Sequence, residues 1–220
     1  ELSREFSLIP EAARADAAAT LEGVISARDA EHQLAELREL DIDAYIERYV
    51  APAESPGRTS APEVIRAMAS ELRDELSDGP FYAATAKLPD CDRWIGFIAQ
   101  DRSSANGVWM PRHHNLAAEQ LSIFRRRKMP VVSLMDTPGA AADAEANRGN
   151  QAHAISRLIA EMCNLDVPTV GVVFGQGYSG GAIPLAASNL ILSVRDGVFS
   201  TIQPRGLASI ARRYNLSWQE

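Results

Sequence analysis

The stretch from residue 130 to residue 182 limits the fold more than any other part of the chain. It runs Pro130-Val-Val-Ser-Leu-Met-Asp136-Thr137-Pro138-Gly139-Ala140. A helical segment follows, then Val167-Pro-Thr-Val-Gly-Val-Val-Phe-Gly175-Gln-Gly177-Tyr178-Ser179-Gly180-Gly181-Ala182. Each half is a short β-branched apolar run that ends in a glycine-containing turn. This reads as a pair of buried parallel strands with irregular backbone at their C-terminal ends. Open α/β sheets hold their ligands at such ends.

The second turn satisfies three patterns. Gly175-Gln-Gly177-Tyr-Ser-Gly180 fits G-x-G-x-x-G, the dinucleotide-binding spacing, with Asp196 placed beyond the next apolar run. Gly177-Tyr-Ser179-Gly-Gly181 fits the G-x-S-x-G nucleophile elbow. A third reading uses no side chain: Ser179-Gly180-Gly181-Ala182 opens a helix, whose first N–H groups converge where an anion can be held. The elbow needs an acid and then a histidine downstream of Ser179, yet all 4 histidines (His32, His113, His114, His153) lie upstream. The dinucleotide reading needs a crossover helix of ordinary length, but only about nine residues separate Gly180 from the next strand and Pro184 is among them. A fourth reading makes the glycines mere permits for a tight strand-to-helix turn.

Composition excludes several classes. A net charge of −7 without a basic stripe argues against nucleic-acid binding. The 2 cysteines, Cys91 and Cys163, stand apart, so neither a disulfide framework nor a metal knuckle is expected. No apolar run reaches the roughly 18 residues of a membrane span, and the start is not signal-like. A cytoplasmic enzyme chain is the consistent placement. The chain begins at Glu1 and stops within a helix-like run, as a piece of a longer polypeptide would.

Five segments in order and in register are more specific than any one of them: Lys128 to Ala140, Arg148-Gly-Asn-Gln-Ala152, Val167-Pro168, Gly175 to Ala182, and Ile202-Gln-Pro204-Arg-Gly206-Leu-Ala208-Ser-Ile210. Together they resemble the carboxyltransferase α subunit of bacterial acetyl-CoA carboxylase, with a weaker trace back to about Ser60. The resemblance implies an α/β fold, the crotonase or ClpP-like spiral of ββα units. It implies transfer of a carboxyl group from carboxybiotin, carried on a partner biotin carboxyl carrier protein or domain, to an acyl-CoA such as acetyl-CoA. On this resemblance the backbone N–H groups of Gly180 and Gly181, with Ala182 as alternative second donor, stabilise the biotin ureido oxygen as an oxyanion hole. Gly139, Ala140, Gly177, Tyr178, Ser179 and Gly206 shape the substrate pocket. A carboxyltransferase β-type subunit or domain supplies the enolate site in a hetero-oligomer of dimerised halves, and no metal is held by this chain. Two alternatives accompany this reading. One is a malonyl or methylmalonyl thioester decarboxylase subunit of the same fold, and the other is a non-catalytic scaffold half. A ClpP-type peptidase would carry its base just before Gln203-Pro204, where Ile202 stands; Ser179 therefore reads as a helix N-cap.

The rest of the chain divides into residues 1–59, an N-terminal helical arm and linker, and residues 60–220, the carboxyltransferase domain. Leu21, Val24, Ile25, Leu34, Leu37 and Leu40 fall at helical spacing over residues 9 to 50. Pro52, Pro56, Gly57 and Pro62 give the stretch from Ala51 to Pro62 linker chemistry. Ser60-Ala-Pro-Glu63 is a capping box, and the helix it starts is expected to reach about Ser77. Phe81 to Leu88 and Arg93 to Gln100 read as a strand pair. His113 to Arg127 and Asn150 to Leu165 read as helices, with His113 and His114 at the surface. Leu190 to Val194 and Val198 to Ile202 read as the last strands. Where the family carries a Gly-His-Gln-Lys-Gly segment this chain has Ala99-Gln100-Asp101-Arg102-Ser103, so the CoA phosphates fall to the partner or to Arg112, Arg125, Arg126, Arg127 and Lys128.

Overall fold

A computed structural model describes residues 35–36, 39–55, 57–214 and 216. The helical arm read over residues 9 to 50 lies largely outside the described residues. The chain forms two compact units that divide between Tyr45 and Ile46. Within the first, Ile42–Tyr45 is helical.

The second unit is built on one mixed sheet. Its helices are α1 (Ala51–Glu54), α2 (Ala61–Met68), α3 (Pro111–Arg126), α4 (Ala144–Arg148), α5 (Gln151–Cys163), α6 (Ser179–Ala186) and α7 (Pro204–Arg213). Its strands are β1 (Glu71–Asp78), β2 (Phe81–Lys87), β3 (Ile95–Gln100), β4 (Val131–Thr137), β5 (Thr169–Tyr178), β6 (Leu190–Ser193) and β7 (Val198–Ser200). The strands run in the order β1-β2-β3-β4-β5-β6, and β7 pairs with the C-terminal part of β5. The β1–β2 and β2–β3 pairs are antiparallel; every later pair is parallel. This is the ββα arrangement expected from the sequence.

Both faces of the central strands are covered, so β2 and β3 are buried along nearly their whole length, as continuous apolar runs require. On one face Phe81, Ile98, Met135 and Val173 pack against Leu121 and Phe124 of α3, Leu158 and Met162 of α5, and Leu185 of α6. On the other, Tyr82, Phe97 and Leu134 pack against Ala61 and Ile65 of α2.

The capping box forms: Glu63 N donates to Ser60 Oγ at 3.4 Å and Ser60 N to Glu63 Oε2 at 2.9 Å, with Pro62 in the first turn. The helix stops at Met68, however, and the segment expected to continue it is β1. Leu72 and Leu76 stand four apart, a spacing that reads as one helical face. In the structure a bulge at Asp74 (φ 52°) breaks the β1–β2 register between Arg73 and Leu76. The extra residue sends Leu72 to one core face and Leu76 to the other. The charges that made the segment look helical line an exposed sheet edge, where they discourage further pairing.

The proline-rich stretch read as linker is fastened to the sheet. Arg102 donates to the carbonyls of Ala53 at 2.5 Å and Glu54 at 2.8 Å, and Arg58 to the Ala53 carbonyl at 2.9 Å. Ala53 is fully buried. The second unit therefore starts well before residue 60.

Candidate functional site

Two turns at the C-terminal ends of β4 and β5 meet. After β4, Thr137 Oγ1 donates to the Gly139 carbonyl at 2.8 Å and accepts from Gly139 N at 3.2 Å. Gly139 has φ 141°, which L side chains rarely adopt. The turn is held from two sides. Ala141 N donates to the Trp109 carbonyl at 3.0 Å, and Gln203 Nε2, at the start of α7, donates to the Pro138 carbonyl at 3.0 Å. This second bond brings the helix carrying Gly206 to the rim of the turn, with Gly206 itself half-exposed.

After β5 the chain turns sharply into α6. The expected N-cap, Ser179, is instead the first helical residue, at φ 52°; Tyr178 occupies the N-cap position without a side-chain cap bond. A left-handed serine costs about 1 kcal/mol or more, strain that the packing around it has to hold. Ser179 is exposed and Gly180 half-exposed, whereas Gly177, Tyr178, Gly181 and Ala182 are buried. Gly177 sits inside the sheet, paired to Thr137 of β4 and Phe199 of β7.

Helix register leaves the N–H groups of Gly180 and Gly181 without an intrahelical acceptor. Among the described residues neither donates to a loop or turn carbonyl. Ala182 differs: at the fourth helical position its N–H is directed to the N-cap carbonyl of Tyr178. Gly181 is needed sterically, whereas at Gly180 only the movable end of a side chain stands in the way. A β-carbon on Gly180 would stand 2.9 Å from Ile155 Cδ1; one on Gly181 would stand 2.7 Å from the Gly139 carbonyl carbon and 2.9 Å from Ala140 N. The α6 mouth, Gly139 and Ala140 thus form one surface.

Beneath the turns lies a polar knot that the sequence did not reveal. Between Met135 and Thr137 of β4, β5 carries extra residues, so Met135 pairs with Val173 but Thr137 with Gly177. The bulge frees the Phe174 carbonyl and the Gln176 N–H from the ladder. Arg58 Nη2 donates to the former; Asp136 Oδ1 accepts from the latter at 3.1 Å. Asp136 also pairs with Arg58 Nη1 at 3.1 Å and lies 3.7 Å from Arg102 Nη1. Gly175 leaves the room, since a β-carbon there would collide with both Asp136 and Arg58. Burial pushes the Asp136 carboxyl up from its ordinary value, against the opposing pull of Arg58, Gln176 N–H and Arg102. A cleft of about 370 Å³ opens beside this knot, lined among others by Glu54, Arg58, Arg102, Asn106 and Asp136. Asp136 therefore fastens backbone and presents no free carboxylate.

His113 and His114, expected at the surface, are buried in the first turn of α3. The helix begins two residues earlier than the sequence indicated, at Pro111, and this turns both imidazoles inward. Burial pushes His113 down to about 4, helped by Arg112. Arg127 and Lys128 are taken by Asp74 and Asp166. With Arg125 and Arg126 they lie at the C-terminal end of α3, beside the start of β4 and so across the sheet from the α6 mouth. Arg112, at the other end of α3, pairs with Asp78 at 3.1 Å. Among the described residues no group of three or more His, Cys, Asp or Glu side chains is arranged to hold a metal ion. No helix among them is long and apolar enough to cross a membrane.

Residues 99–218 match the family model described as acetyl co-enzyme A carboxylase carboxyltransferase-like. The chain belongs to this family. It is similar to the acetyl-coenzyme A carboxylase carboxyl transferase subunit alpha of Chelativorans sp. (strain BNC1), at 29% identity over 170 residues, covering 72% of this chain and 54% of that protein. The chain thus spans about half the length of that curated relative. Among solved structures it shares the fold of transcarboxylase 12S, crystallised with methylmalonyl-coenzyme A and methylmalonic acid. There the TM-score is 0.66 at 19% identity, over 82% of this chain and 34% of that one. It also shares the fold of the Pseudomonas malonate decarboxylase heterodimer (TM-score 0.60, 20% identity, 70% of this chain and 69% of that one). The crotonase-type α/β fold expected from the sequence is the one found.

Proposed function

We propose that this chain is the carboxybiotin-facing, α-type half of a biotin-dependent carboxyltransferase, with an acyl-CoA such as acetyl-CoA as acceptor. The observation that carries the proposal is the α6 mouth. Two successive glycine N–H groups without an intrahelical acceptor sit on the positive end of a helix, against the Gly139–Ala140 turn, whose backbone leaves no room for a side chain at Gly181. Family membership adds the reaction class.

Biotin, when bound, supplies a ureido group that carries and releases the carboxyl. The chain's own part is to bind and to stabilise charge. Gly180 and Gly181 N–H donate to the ureido oxygen, where fixed dipoles counter negative charge without reorganising. The Gly139–Ala140 turn and Gly206 bound the space for the ring, and Ser179 sets the angle of the donors through its strained backbone. Gly177 and Tyr178 support the turn from within the sheet. Ala182, whose N–H the helix uses, leaves the donor role to the two glycines. The site fits a planar, neutral-to-anionic acceptor group, because it offers donors and no nucleophile or base. A β-type half holding the acyl-CoA enolate and a biotin carboxyl carrier are the partners this division of labour requires.

The test is isotope exchange. The chain, combined with the β-type half that co-purifies with it, should move labelled carboxyl between malonyl-CoA and free biotin. Loss of CO2 from malonyl-CoA with no label on biotin would replace this reading with the decarboxylase one. Neither reaction, with the complex intact, would leave a scaffold.

A further inference from the structure

Two buried side chains reach the α6 mouth from behind. Gln100, at the end of β3 and fully buried, donates from Nε2 to the Gly181 carbonyl at 2.7 Å and accepts at Oε1 from Asp136 N at 3.0 Å. One carboxamide thus ties the first turn of α6 to the end of β4, and both of its polar ends are used. His114, also fully buried, has Nδ1 3.2 Å from the Met110 carbonyl and stands edge-on to Trp109. Its Nε2 finds no partner in hydrogen-bond geometry among the described residues, although the Gly180 backbone lies beside it and favours its protonated form. A backbone group with that effect is an acceptor, the carbonyl. Pro184 explains why this carbonyl is available. In a regular helix residue 184 would donate its N–H to residue 180, and proline has none.

We propose that Gln100 is a positioning residue for the Gly180–Gly181 donors. The inference rests on the carboxyltransferase reading above and adds how the donor pair is aimed. Peptide planes are rigid, and the plane that bears the Gly181 N–H meets the plane that bears the Gly181 carbonyl at the Gly181 Cα. Fixing the Gly181 carbonyl locks the next plane and, with it, the rotation of the helix mouth. The hold matters because glycine backbones at positions 180 and 181 have the widest choice of conformations. An oxyanion site needs its donors held in place before charge develops, and that hold comes from packed neighbours of the site. Gln100 does not touch the substrate in this scheme.

The experiment compares wild type, Gln100→Met and Gln100→Asn in the assembled complex. Methionine keeps the volume and removes both hydrogen bonds; asparagine keeps the carboxamide but lacks the reach. Label exchange should fall about 10-fold or more in kcat, the scale of a misaligned oxyanion donor, with the KM for malonyl-CoA changed less than about 2-fold. In the chain labelled with 15N-glycine, the Gly180 and Gly181 amide resonances should shift or broaden in both variants, while those of Gly197 and Gly206 stay in place. Unmoved Gly180 and Gly181 amides in either folded variant, or wild-type kcat, would overturn the role of Gln100. If wild type itself shows no exchange, the carboxyltransferase reading falls, and the amide spectra still decide whether Gln100 orients the glycines.

Discussion

The backbone of Gly181 lies directly against that of Gly139: a β-carbon added to Gly181 would stand 2.7 Å from the Gly139 carbonyl carbon, nearer than real β-carbons come. The contact joins two turns that follow different strands; the distance between them is set by glycine at 181, while Gly139 is required by its φ of 141°. Gly181→Val should open this contact and rotate the helix mouth, costing at least about 10² in carboxyl exchange, the scale of a lost oxyanion donor. Exchange kinetics of the purified complex check this. Full activity in an intact assembly would favour the scaffold reading. Gly206→Ala probes the fold of α7 instead, since its β-carbon would meet Ile202 at an ordinary 3.4 Å. In a helix the change should stabilise by about 0.5–1 kcal/mol.

Asp136 is the hub of the buried knot, and removing it leaves Arg58, Arg102 and the Gln176 N–H with no common partner. Asp136→Ala should lower unfolding stability by about 3 kcal/mol, the usual cost of breaking a buried pair from one side. Urea unfolding measures it. Because Arg58 and Arg102 also hold the Ala53 and Glu54 carbonyls, residues 51–60 should become cleavable by protease before global unfolding. Simultaneous loss of both would point to one cooperative unit.

Acid should weaken the second unit through its buried histidines. Folded His113 remains neutral to about pH 4, whereas the unfolded chain takes up the proton near the ordinary 6.5. Between these values the unfolded state binds more protons, so stability rises with pH and is lost on acidification, by about 3 kcal/mol at most from this residue. His114, whose pKa burial also lowers, acts in the same sense. The raised Asp136 carboxyl acts in the opposite sense, since a folded pKa above the unfolded one favours the folded chain as pH falls through it. Unfolding midpoints between pH 7 and 4.5 should therefore decline, and His113→Gln should flatten the slope. An unchanged slope in the variant would show that other groups carry the pH dependence.

What the sequence disclosed, and what it hid, follows from how far apart the interacting residues lie. The parallel pair β4–β5, the crossover helix α5 and the capping box at Ser60 are local patterns, a continuous apolar run, a period of 3.6 and a fixed offset, and each is where its pattern placed it. The two leucines of β1 defeated the same method because a single-residue bulge changes which face they occupy. Ser179 was misread as a cap because the left-handed turn depends on the Gly139 turn packed beside it. The Arg58–Asp136–Arg102 knot joins residues far apart in the chain, and no spacing rule reaches across such gaps. Gln100 entered the sequence reading only as part of the segment that stands in place of the family's Gly-His-Gln-Lys-Gly, and only its distance to the Gly181 carbonyl gives it a role.

The strand β6 ends the sheet with Leu190, Ile191 and Leu192 each about half-exposed, at 50%, 47% and 48%. Because neighbouring side chains of a strand point to opposite faces, these values mean that the described residues leave both faces of β6 partly uncovered. Among the described residues its outer N–H and C=O groups find no strand partner either, because there β6 pairs only with β5. Protected edges usually carry a lysine, a proline or a bulge, and Leu190–Ser193 has none of them, whereas β1 at the opposite edge is lined with charge. The second unit on its own should therefore self-associate with rising concentration, strand against strand. Ile191→Lys places a charge on that edge and should shift light-scattering mass toward the monomer. The unfolding midpoint should stay within about 0.5 kcal/mol of wild type, since a half-exposed side chain contributes little to the core. Association that persists unchanged in the variant would place the contact elsewhere on the chain.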